Sequence, residues 1–443
     1  MLTTVVHGGD GTGNYGRKNG TEGQIAGRAA WRRGFDVTAP NCLFVVTHYL
    51  PLVGGGQTVY DALCRQLPDQ FQVLTSSTDY VTGKVVDGYS EFDAAAPYQI
   101  TRIARTRPNI GAPKVSLFNR IKGFIRFKQV ERDLVSKILS ICEKSNVDAI
   151  CIGAAEAFTW LPAALKQRTR LPIIYYTHGE EFSQAAHSEK ADTARKSAIA
   201  HSDKVICVSS FTRDLLIERY GASEEQVALI HNGVDFARFS KPTTENAYAQ
   251  SGAKHVVAAG RMVERKGFDH LIAAWPAVLA QVPSAKLSLA GKGPLFEQLS
   301  AEIERLGVAD SVNQLGFVSD EDLVALYQSA DLFAMPNRTM PDGDTEGFGL
   351  VFLEAAAAGA PSIGGRAGGA VDAIVHKETG LLVDGSDRTA IAEALIEMLN
   401  DDEWRLDMAK TAFELAGKSD WSAKARQFEN VLASLVHQAS DES

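Results

Sequence analysis

The sequence predicts an α/β protein with two Rossmann-like, doubly wound domains that follow one another along the chain. Continuous apolar runs, such as those at 42–46 and 172–176, are typical of parallel strands that are buried on both faces. Helical patterns alternate with these runs, and such alternation favours a mainly parallel sheet covered by helices. The pattern dissolves between residues 236 and 253 and then restarts, so we expect a second domain of the same class.

The first half of the chain supplies four strands and two helices in this interpretation. The strands are predicted at 42–46, 149–153, 172–176 and 204–208. One helix is predicted over 58–67, after three consecutive glycines. Ser209 or Ser210 is predicted to cap a second helix over about 211–220, which Gly221 ends.

The second half repeats the pattern. Its strands are predicted at 255–260, 286–290 and 331–335, with a helix over 268–282. The segment 421–435 reads as an amphipathic helix with no strand after it. We therefore expect a disordered extension at 1–38, an N-terminal domain at 39–235 and a linker at 236–253. A C-terminal domain follows at 254–415, and the last segment, 416–443, holds a helix that crosses back to the first domain and a tail.

Composition restricts the possible functions. The 443 residues suggest two or three domains at about 150 residues each, and the formal net charge of -9 argues against non-specific binding to nucleic acid. The five cysteines form no C-x-x-C pair, which favours buried free thiols in a reducing cytoplasm. No stretch reaches the roughly 18 apolar residues of a membrane span, and the first residues lack the apolar core of a signal peptide. We expect a cytoplasmic protein.

The segment 260–267 follows a predicted strand and carries the first candidate site. Gly260 and Gly267 enclose two cations, Arg261 and Lys266. Open α/β sheets bind ligands at the carboxyl ends of their strands, and glycine lets the backbone approach a phosphate closely. The segment therefore suits an anionic ligand such as a diphosphate. The alternative is a solvated loop with two surface cations.

The segment 346–354 carries the second candidate site. A helix is predicted to begin near Phe348, with Glu346 at its N-terminus, Gly347-Phe348-Gly349 next and Glu354 two turns along. Backbone N–H groups and the positive end of the helix dipole would hold a phosphate or sugar oxygen without a metal ion. The alternative makes Glu346 a capping acid and Glu354 a surface residue.

Three further features are weaker. His178 follows a strand, where a lone histidine is more often a hydrogen-bonded core residue. The glycine-rich turn at 364–370 is not specific by itself. Asp342 and Asp344 form a D-x-D pattern that could bind a metal, but we expect a polar surface loop there.

Five motifs taken together resemble family 4 glycosyltransferases of the GT-B fold over residues 225–385. They are 231–235, 260–267, 291–294, 315–318, and the pair Glu346 and Glu354 followed by Gly368-Gly369. The N-terminal half resembles the family only at 54–56 and 178–179. The chain also resembles bacterial mannosyl- and glucosyltransferases that act on phosphatidylinositol or on other lipid and polysaccharide acceptors. It departs from the family after Gly368-Gly369, where the family usually has a Pro-Glu pair and this chain has Ala370-Val371-Asp372.

The resemblance implies a role for each matching residue. The catalytic residues would be His178, Glu346, Arg261 and Lys266. His178 would contact the transferred sugar, and Arg261 and Lys266 would hold the donor diphosphate. Glu354 would bind the ribose hydroxyls and Val318 the base through its backbone. The remaining donor contacts would come from main chain at Gly55, Gly56, Gly260, Gly293, Gly347, Phe348, Gly349 and Leu350. The donor would be a UDP- or GDP-linked sugar, with no cofactor and no metal required.

A basic stretch at 102–132 holds nine cations and one acid, Glu131, in a chain of net charge -9. Apolar and aromatic residues interleave with the cations, which suits an anionic membrane surface. The alternative is a solvated face whose apolar residues pack on the domain. The cations expected to face a membrane are Arg120, Lys122, Arg126 and Lys128.

The expected function is transfer of a hexose, of the mannose or glucose type, from a nucleotide diphosphate sugar to a hydroxyl acceptor, with retention at the anomeric carbon. A membrane lipid or a growing polysaccharide is the expected acceptor, and a peripheral position on the inner membrane face would suit it. Two alternatives remain: a nucleotide-sugar epimerase, which sugar transfer to an added acceptor would exclude, and a catalytically inactive nucleotide-binding scaffold, which turnover of any donor would exclude.

Overall fold

The structure, a computed structural model, describes residues 39–107, 117–153, 155–184, 189–243, 246–249 and 252–441. At 117–124 and 126 it describes the backbone alone. The predicted extension at 1–38 lies outside these residues. Within the described part of the chain, no helix combines the length and the apolar character needed to span a bilayer.

The first half of the chain forms a parallel sheet with the strand order β3-β2-β1-β4-β5-β6-β7. Its strands are β1 Cys42–Val45, β2 Phe71–Ser76, β3 Gln99–Ile103, β4 Ala149–Ile152, β5 Ile173–Thr177, β6 Lys204–Cys207 and β7 Val227–Leu229. The helices around it are α1 Gly55–Gln66, α2 Tyr89–Ala95, α3 Leu117–Lys144, α4 Leu161–Lys166, α5 Glu180–Ser183, α6 Glu189–Ala200 and α7 Ser210–Glu218. The order reverses between β1 and β4.

The second half forms a parallel sheet with the order β10-β9-β8-β11-β12-β13. Helix α8 Phe236–Ser240 precedes its strands, which are β8 Lys254–Ala259, β9 Ala285–Ala290, β10 Val312–Gly316, β11 Leu332–Met335, β12 Ser362–Gly365 and β13 Gly380–Val383. Its helices are α9 Phe268–Gln281, α10 Phe296–Arg305, α11 Asp320–Gln328, α12 Leu350–Ala357, α13 Ala370–Ala373, α14 Arg388–Asn400 and α15 Asp402–Lys418, and α16 Trp421–Asp441 follows. The predicted pair of Rossmann-like domains is confirmed.

Both sheets reverse their strand order at one point, between β1 and β4 in the first and between β8 and β11 in the second. Ligands of doubly wound sheets bind in the crevice outside the carboxyl ends of the strands at such a point. The segment 260–267 follows β8, and the segment 346–354 lies in the connection that follows β11. Both candidate segments of the second domain therefore lie at the carboxyl edge of its sheet, the side formed by the carboxyl ends of the strands.

The last helix, α16, packs on the first domain. The ring of Phe428 in α16 stacks on Phe44 of β1, with 5.5 Å between the centroids, and it also contacts Phe71 and Tyr176. The chain enters α16 beside residue 234, where Trp421 N–H donates to the carbonyl of Val234. The C-terminal helix thus connects the second domain back to the core of the first.

All five cysteines are buried free thiols, as the sequence predicts.

Three details differ from the sequence-based expectations. Helix α12 begins at Leu350 rather than near Phe348, so Glu346 lies ahead of the helix and Glu354 lies about one turn into it, not two. The segment expected to be a linker contains the helical turn α8, which Asp235 caps by accepting from Arg238 N–H. The final helix extends beyond 435 to Asp441.

Candidate active site

The turn after β8 is shaped by close backbone contacts. Gly260 N–H donates to the carbonyl of Ala290 at 3.0 Å, and Gly260 has φ +144°, which L side chains rarely adopt. On the next turn, Leu295 N–H donates to the carbonyl of Met262, so the segment around Gly293 lies against the same backbone. These contacts fix the direction in which the cations of the turn leave the main chain.

The two cations predicted from this turn have different environments. The Arg261 side chain is exposed, and no described residue forms an ion pair with it. Lys266 points inward instead: its side chain is 12% exposed, and its Nζ lies 3.0 Å from Glu346 Oε2 and 3.5 Å from Met335 Sδ. Lys266 is therefore the cation that the fold holds at the sheet edge, and Arg261 is open to solvent.

Arg265, which sequence reasoning did not select, is the most connected cation of the region. Its guanidinium contacts three carboxylates: Glu346 at 2.9 Å, Asp344 at 3.3 Å, and Glu180 of the first domain at 3.3 Å. Arg265 lies on the short helical turn at 264–266, and Arg261 precedes that turn. Arg265 thus connects both domains to the carboxylate of Glu346.

Glu346 is an ionised carboxylate between two cations. A single oxygen, Oε2, receives Arg265 Nη1 at 2.9 Å and Lys266 Nζ at 3.0 Å. Burial alone would raise the pKa of Glu346, but the charges and hydrogen bonds of Lys266 and Arg265 outweigh burial and lower the pKa. The backbone here is also fixed, since Gly369 N–H donates to the carbonyl of Glu346 at 2.8 Å.

Glu354 lies deeper in the same edge, on α12. Tyr327 donates its hydroxyl to Glu354 Oε2 at 3.0 Å. Burial raises the pKa of Glu354, and the bond from Tyr327 and the charges of Arg238 and Lys266 only partly oppose that increase. With one oxygen bound by Tyr327, the other oxygen, Oε1, can accept hydrogen bonds from a ligand.

His178 belongs to the first domain but reaches the same place. A Cβ atom on Gly347 would collide with the carbonyl oxygen of His178, so only glycine permits this approach of the two main chains. The His178 imidazole is held by Tyr60, whose hydroxyl lies 2.8 Å from Nε2, and its backbone N–H donates to Glu181 Oε1 at 2.8 Å. Burial lowers the pKa of His178 to about 4, so the ring is neutral near pH 7.

The N-terminus of α1 faces the same histidine. Its cap, Gly54, offers no side chain to the free N–H groups of the first turn. Gly55 has open space where a Cβ would be, and a Cβ on Gly56 would lie 3.0 Å from His178 Nε2. A 12-residue helix therefore directs unsatisfied N–H groups and its positive dipole end toward the space beside His178.

The other residues that the sequence predicts to bind the donor include Phe348, Gly349 and Leu350 at the start of α12 and Val318 after β10. Phe348 is buried, with its ring centroid 5.7 Å from that of His231, so it can offer only its backbone to a ligand. Gly349 caps α12 with φ +88°, and Leu350 is half-buried at the start of that helix. Val318 is half-buried after β10, next to Phe317, which is 81% exposed.

The D-x-D segment has structural partners. Asp342 accepts the backbone N–H of Asp344 at 3.0 Å, and Asp344 pairs with Arg265. Among the residues that the structure describes, no group of three or more His, Cys, Asp or Glu side chains could hold a metal ion.

The basic stretch is less available than its sequence indicates. Arg102 is buried, with a side chain 5% exposed, and pairs with Asp93 at 2.8 Å, so it cannot face a membrane. Lys128 pairs with Glu131 at 2.6 Å and remains about half exposed. Ile125 is 60% exposed on the same helix, α3. The side chains of Arg120, Lys122 and Arg126 lie outside those described.

Comparison with known proteins agrees with the geometry of this edge. The family model of Glycosyltransferase Family 4 matches residues 53–238, and that of Glycosyl transferases group 1 matches residues 241–415. A GDP-mannose-dependent alpha-(1-6)-phosphatidylinositol monomannoside mannosyltransferase of Mycolicibacterium smegmatis is 30% identical over 367 residues, which cover 81% of this chain and 89% of that protein. The chain belongs to the family 4 glycosyltransferases of the GT-B fold. The family expected from the sequence is confirmed.

Other relatives and solved structures agree. A GDP-mannose-dependent monoacylated alpha-(1-6)-phosphatidylinositol monomannoside mannosyltransferase of Corynebacterium glutamicum is 28% identical over 404 residues, covering 88% of this chain and 97% of that protein. The solved structure of HepE from Anabaena in complex with UDP has a TM-score of 0.69 at 22% identity and covers 89% of this chain and 100% of its own. Sucrose-phosphate synthase from Thermosynechococcus elongatus has a TM-score of 0.71 at 22% identity, with 90% and 100% covered. The two structures show the same fold.

Proposed function

We propose that this glycosyltransferase moves a hexose, mannose in the first instance, from a nucleotide diphosphate sugar to a hydroxyl group of a lipid-linked acceptor, with retention at the anomeric carbon. The observation that carries the proposal is the meeting of Lys266, Glu346 and His178 at the facing edges of the two sheets. The relatives that are 30% and 28% identical are named as GDP-mannose-dependent mannosyltransferases, which favours GDP-mannose over a UDP-sugar.

The diphosphate of the donor would lie between the two domains. Lys266 would contact it from the second domain, sharing its ammonium between a phosphate oxygen and Glu346, and the exposed Arg261 would fold over it. The N-terminus of α1, at Gly55 and Gly56, would face it from the first domain. These positive groups would stabilise the leaving diphosphate, so the reaction would need no divalent metal ion.

Carboxylates would hold the two sugars of the donor. Glu354 Oε1 would accept hydrogen bonds from the ribose hydroxyls, because Tyr327 occupies Oε2. Glu346 Oε1 and the N–H groups of Gly347, Phe348 and Gly349 would hold the hydroxyls of the transferred hexose. The base would lie against the backbone of Val318.

The reaction would proceed by attack on the face from which the diphosphate leaves. The bond between the anomeric carbon and the diphosphate oxygen breaks, the acceptor oxygen bonds to the same carbon, and the acceptor proton passes to the leaving phosphate. Positive charge develops on the sugar ring in between, and the ionised Glu346 nearby would stabilise it. His178 is uncharged near pH 7, so it would bind and orient the hexose without opposing this charge.

The acceptor would bind at the carboxyl edge of the first domain, since the donor contacts come mostly from the second. Lipid acceptors would bring the enzyme to the inner membrane face as a peripheral protein. In this proposal α3 contributes through Lys128, the exposed Ile125, and the cations Arg120, Lys122 and Arg126.

A donor and acceptor panel tests the proposal. Purified protein is incubated with GDP-mannose, UDP-glucose or ADP-glucose, with and without phosphatidylinositol monomannoside in mixed micelles, and products are separated by mass. We expect an added hexose only with GDP-mannose and acceptor together. Interconversion of the donor sugar without an acceptor would indicate an epimerase, and binding without turnover of any donor would indicate a scaffold; either result contradicts the proposal.

A further inference from the structure

Asp372, at the position where the chain departs from its family, joins the two domains. It lies in α13 of the second domain, and its carboxylate accepts from both donors of Ser210 in the first domain, the backbone N–H and the hydroxyl, whose single hydrogen is shared between the two carboxylate oxygens. Ser210 N–H donates to Oδ2 at 2.8 Å, and Ser210 Oγ donates to Oδ1 at 2.7 Å and to Oδ2 at 2.9 Å. The Asp372 side chain is 12% exposed, so solvent competes little for these bonds.

The contact completes a helix cap that the first domain leaves unfinished. Ser210 is the first residue of α7, and the first N–H groups of a helix have no partner within it. Ser209 satisfies one of them by accepting from Thr212 N–H at 3.2 Å. Asp372 satisfies another from the opposite domain, and a carboxylate at the positive end of a helix dipole is favourable. The first turn of α7 is thus capped from both domains.

Both sides of this contact lead directly to the candidate active site. On the first domain, a Cβ on Gly179 would lie 2.5 Å from Thr212 Oγ1 of α7, so the first turn of α7 touches the residue next to His178. On the second domain, α13 begins at Ala370, directly after Gly369, whose N–H donates to the carbonyl of Glu346 at 2.8 Å. The pair Asp372 and Ser210 therefore lies a short stretch of chain away from both His178 and Glu346.

A second contact joins Asp372 to the backbone segment predicted to hold the hexose. His231 Nε2 lies 3.6 Å from Asp372 Oδ1, and the His231 ring packs on Phe348 at 5.7 Å between centroids. Phe348 lies between Gly347 and Gly349. Asp372 is thus placed to influence this segment without touching it.

We propose that Asp372 is a positioning residue for sugar transfer: it holds the two domains in the arrangement in which His178 and Glu346 face the same hexose. The inference rests on the proposed function, because it names what fixes the geometry of that site. Lys266 and Glu354, which would supply the main side-chain contacts to the nucleotide, both belong to the second domain, so nucleotide binding would depend little on the contact between the domains. Transfer needs it, and loss of the contact lowers the fraction of molecules in the competent arrangement.

The test compares Asp372→Ala and Asp372→Asn with a matched control, Asp387→Asn. Asp387 also accepts two backbone N–H groups, from Thr389 at 2.8 Å and Ala390 at 3.2 Å, but it caps α14 inside the second domain. For each variant we would measure kcat, GDP affinity by calorimetry, and the radius of gyration by small-angle X-ray scattering. Asp372→Asn is isosteric and serves if Asp372→Ala does not fold.

The expected result separates kcat from binding. Asp372→Ala should lower kcat about tenfold or more, as expected for lost hydrogen bonds to a charged group, while GDP affinity stays within about twofold. Asp372→Asn should have a smaller effect in the same direction, and the control should keep kcat within about twofold. The double variant Ser210→Ala and Asp372→Ala should have nearly the same kcat as Asp372→Ala alone, because both changes remove the same contact.

Three results would overturn the inference. They are an unchanged kcat in both Asp372 variants, a GDP affinity that falls in parallel with kcat, and effects of the Ser210 and Asp372 changes that simply add. Scattering separates this inference from the proposed function. If the wild type transfers no sugar at all, an increased radius of gyration for Asp372→Ala relative to Asp387→Asn still supports the contact, and an unchanged radius refutes it.

Discussion

Glu346→Gln removes one negative charge from the point where the two sheet edges meet, with almost no change of shape. In the wild type, Oε2 of this residue receives Arg265 Nη1 at 2.9 Å and Lys266 Nζ at 3.0 Å. The low pKa of Glu346 means that the negative charge is present throughout the neutral range. The substitution therefore tests whether that charge acts on the transferred sugar.

Two effects of this change can be given a magnitude. Loss of one electrostatic partner in a transition state costs about 10²–10³ in kcat, which corresponds to about 2.7–4 kcal/mol. The free energy of unfolding should also fall, because two cations with side chains 16% and 12% exposed lose a partner. Arg265 keeps Asp344 and Glu180, and the glutamine oxygen can still accept a hydrogen bond from Lys266, so the loss should be about 2 kcal/mol, the value for one hydrogen bond to a charged group, rather than that of a fully broken buried pair.

Glu180→Gln is the matched control for this experiment. It also removes a carboxylate from Arg265, at 3.3 Å, but its side chain is 58% exposed, so a small effect is expected. Initial rates over a range of donor concentrations would give kcat and KM for both variants, after thermal unfolding has shown that both fold. We expect kcat to fall at least about a hundredfold below wild type for Glu346→Gln but not for Glu180→Gln. A kcat equal to that of Glu180→Gln, or a loss confined to KM, would refute the assigned role.

The other predictions concern affinity, metal and membrane. Glu354→Gln should mainly raise KM for the donor, because a ribose contact exists before and during transfer; a fall in kcat at constant KM would contradict this. Lys266→Ala should weaken GDP binding about tenfold or more, and unchanged affinity by calorimetry would remove it from the site. Activity should persist in EDTA; loss restored by manganese would instead implicate Asp342 and Asp344. Binding to anionic vesicles should decrease with added salt and with neutralisation of the α3 cations Arg120, Lys122, Arg126 and Lys128. If the wild type does not sediment with anionic vesicles at low salt, this membrane contact is excluded.

The strands that the sequence predicts lie at the centre of each sheet; β2, which is also buried at every residue but contains Gln72, Thr75 and Ser76, is not among them. Strands β1, β4 and β5 are buried at every residue, which leaves a continuous apolar run in the sequence. Strands β3 and β10 lie at the edges of their sheets, are only partly buried and contain polar residues, so they leave no such run. Local pattern therefore predicts the centre of each sheet better than its margin.

The direction of a side chain on a short turn is harder to predict than its presence in a motif. From the sequence we predicted that Arg261 and Lys266 are the two cations at the anion site. In the structure, Arg265 points inward and pairs with Glu346. This pairing joins the helical turn at 264–266 to a carboxylate about 80 residues away. The same limit applies to Asp372, whose partner Ser210 is 162 residues away. Contacts between domains have no local signal.

The anomeric configuration of the product tests whether the enzyme transfers the sugar with retention. Wild-type enzyme would be given GDP-α-mannose and a lipid acceptor, and the linkage formed would be assigned from the one-bond carbon–proton coupling of the new anomeric centre by NMR. We expect an α-linked mannose, because the acceptor attacks from the face that the diphosphate leaves. A β-linked product would contradict it, since the mechanism would then require a base on the opposite face of the sugar.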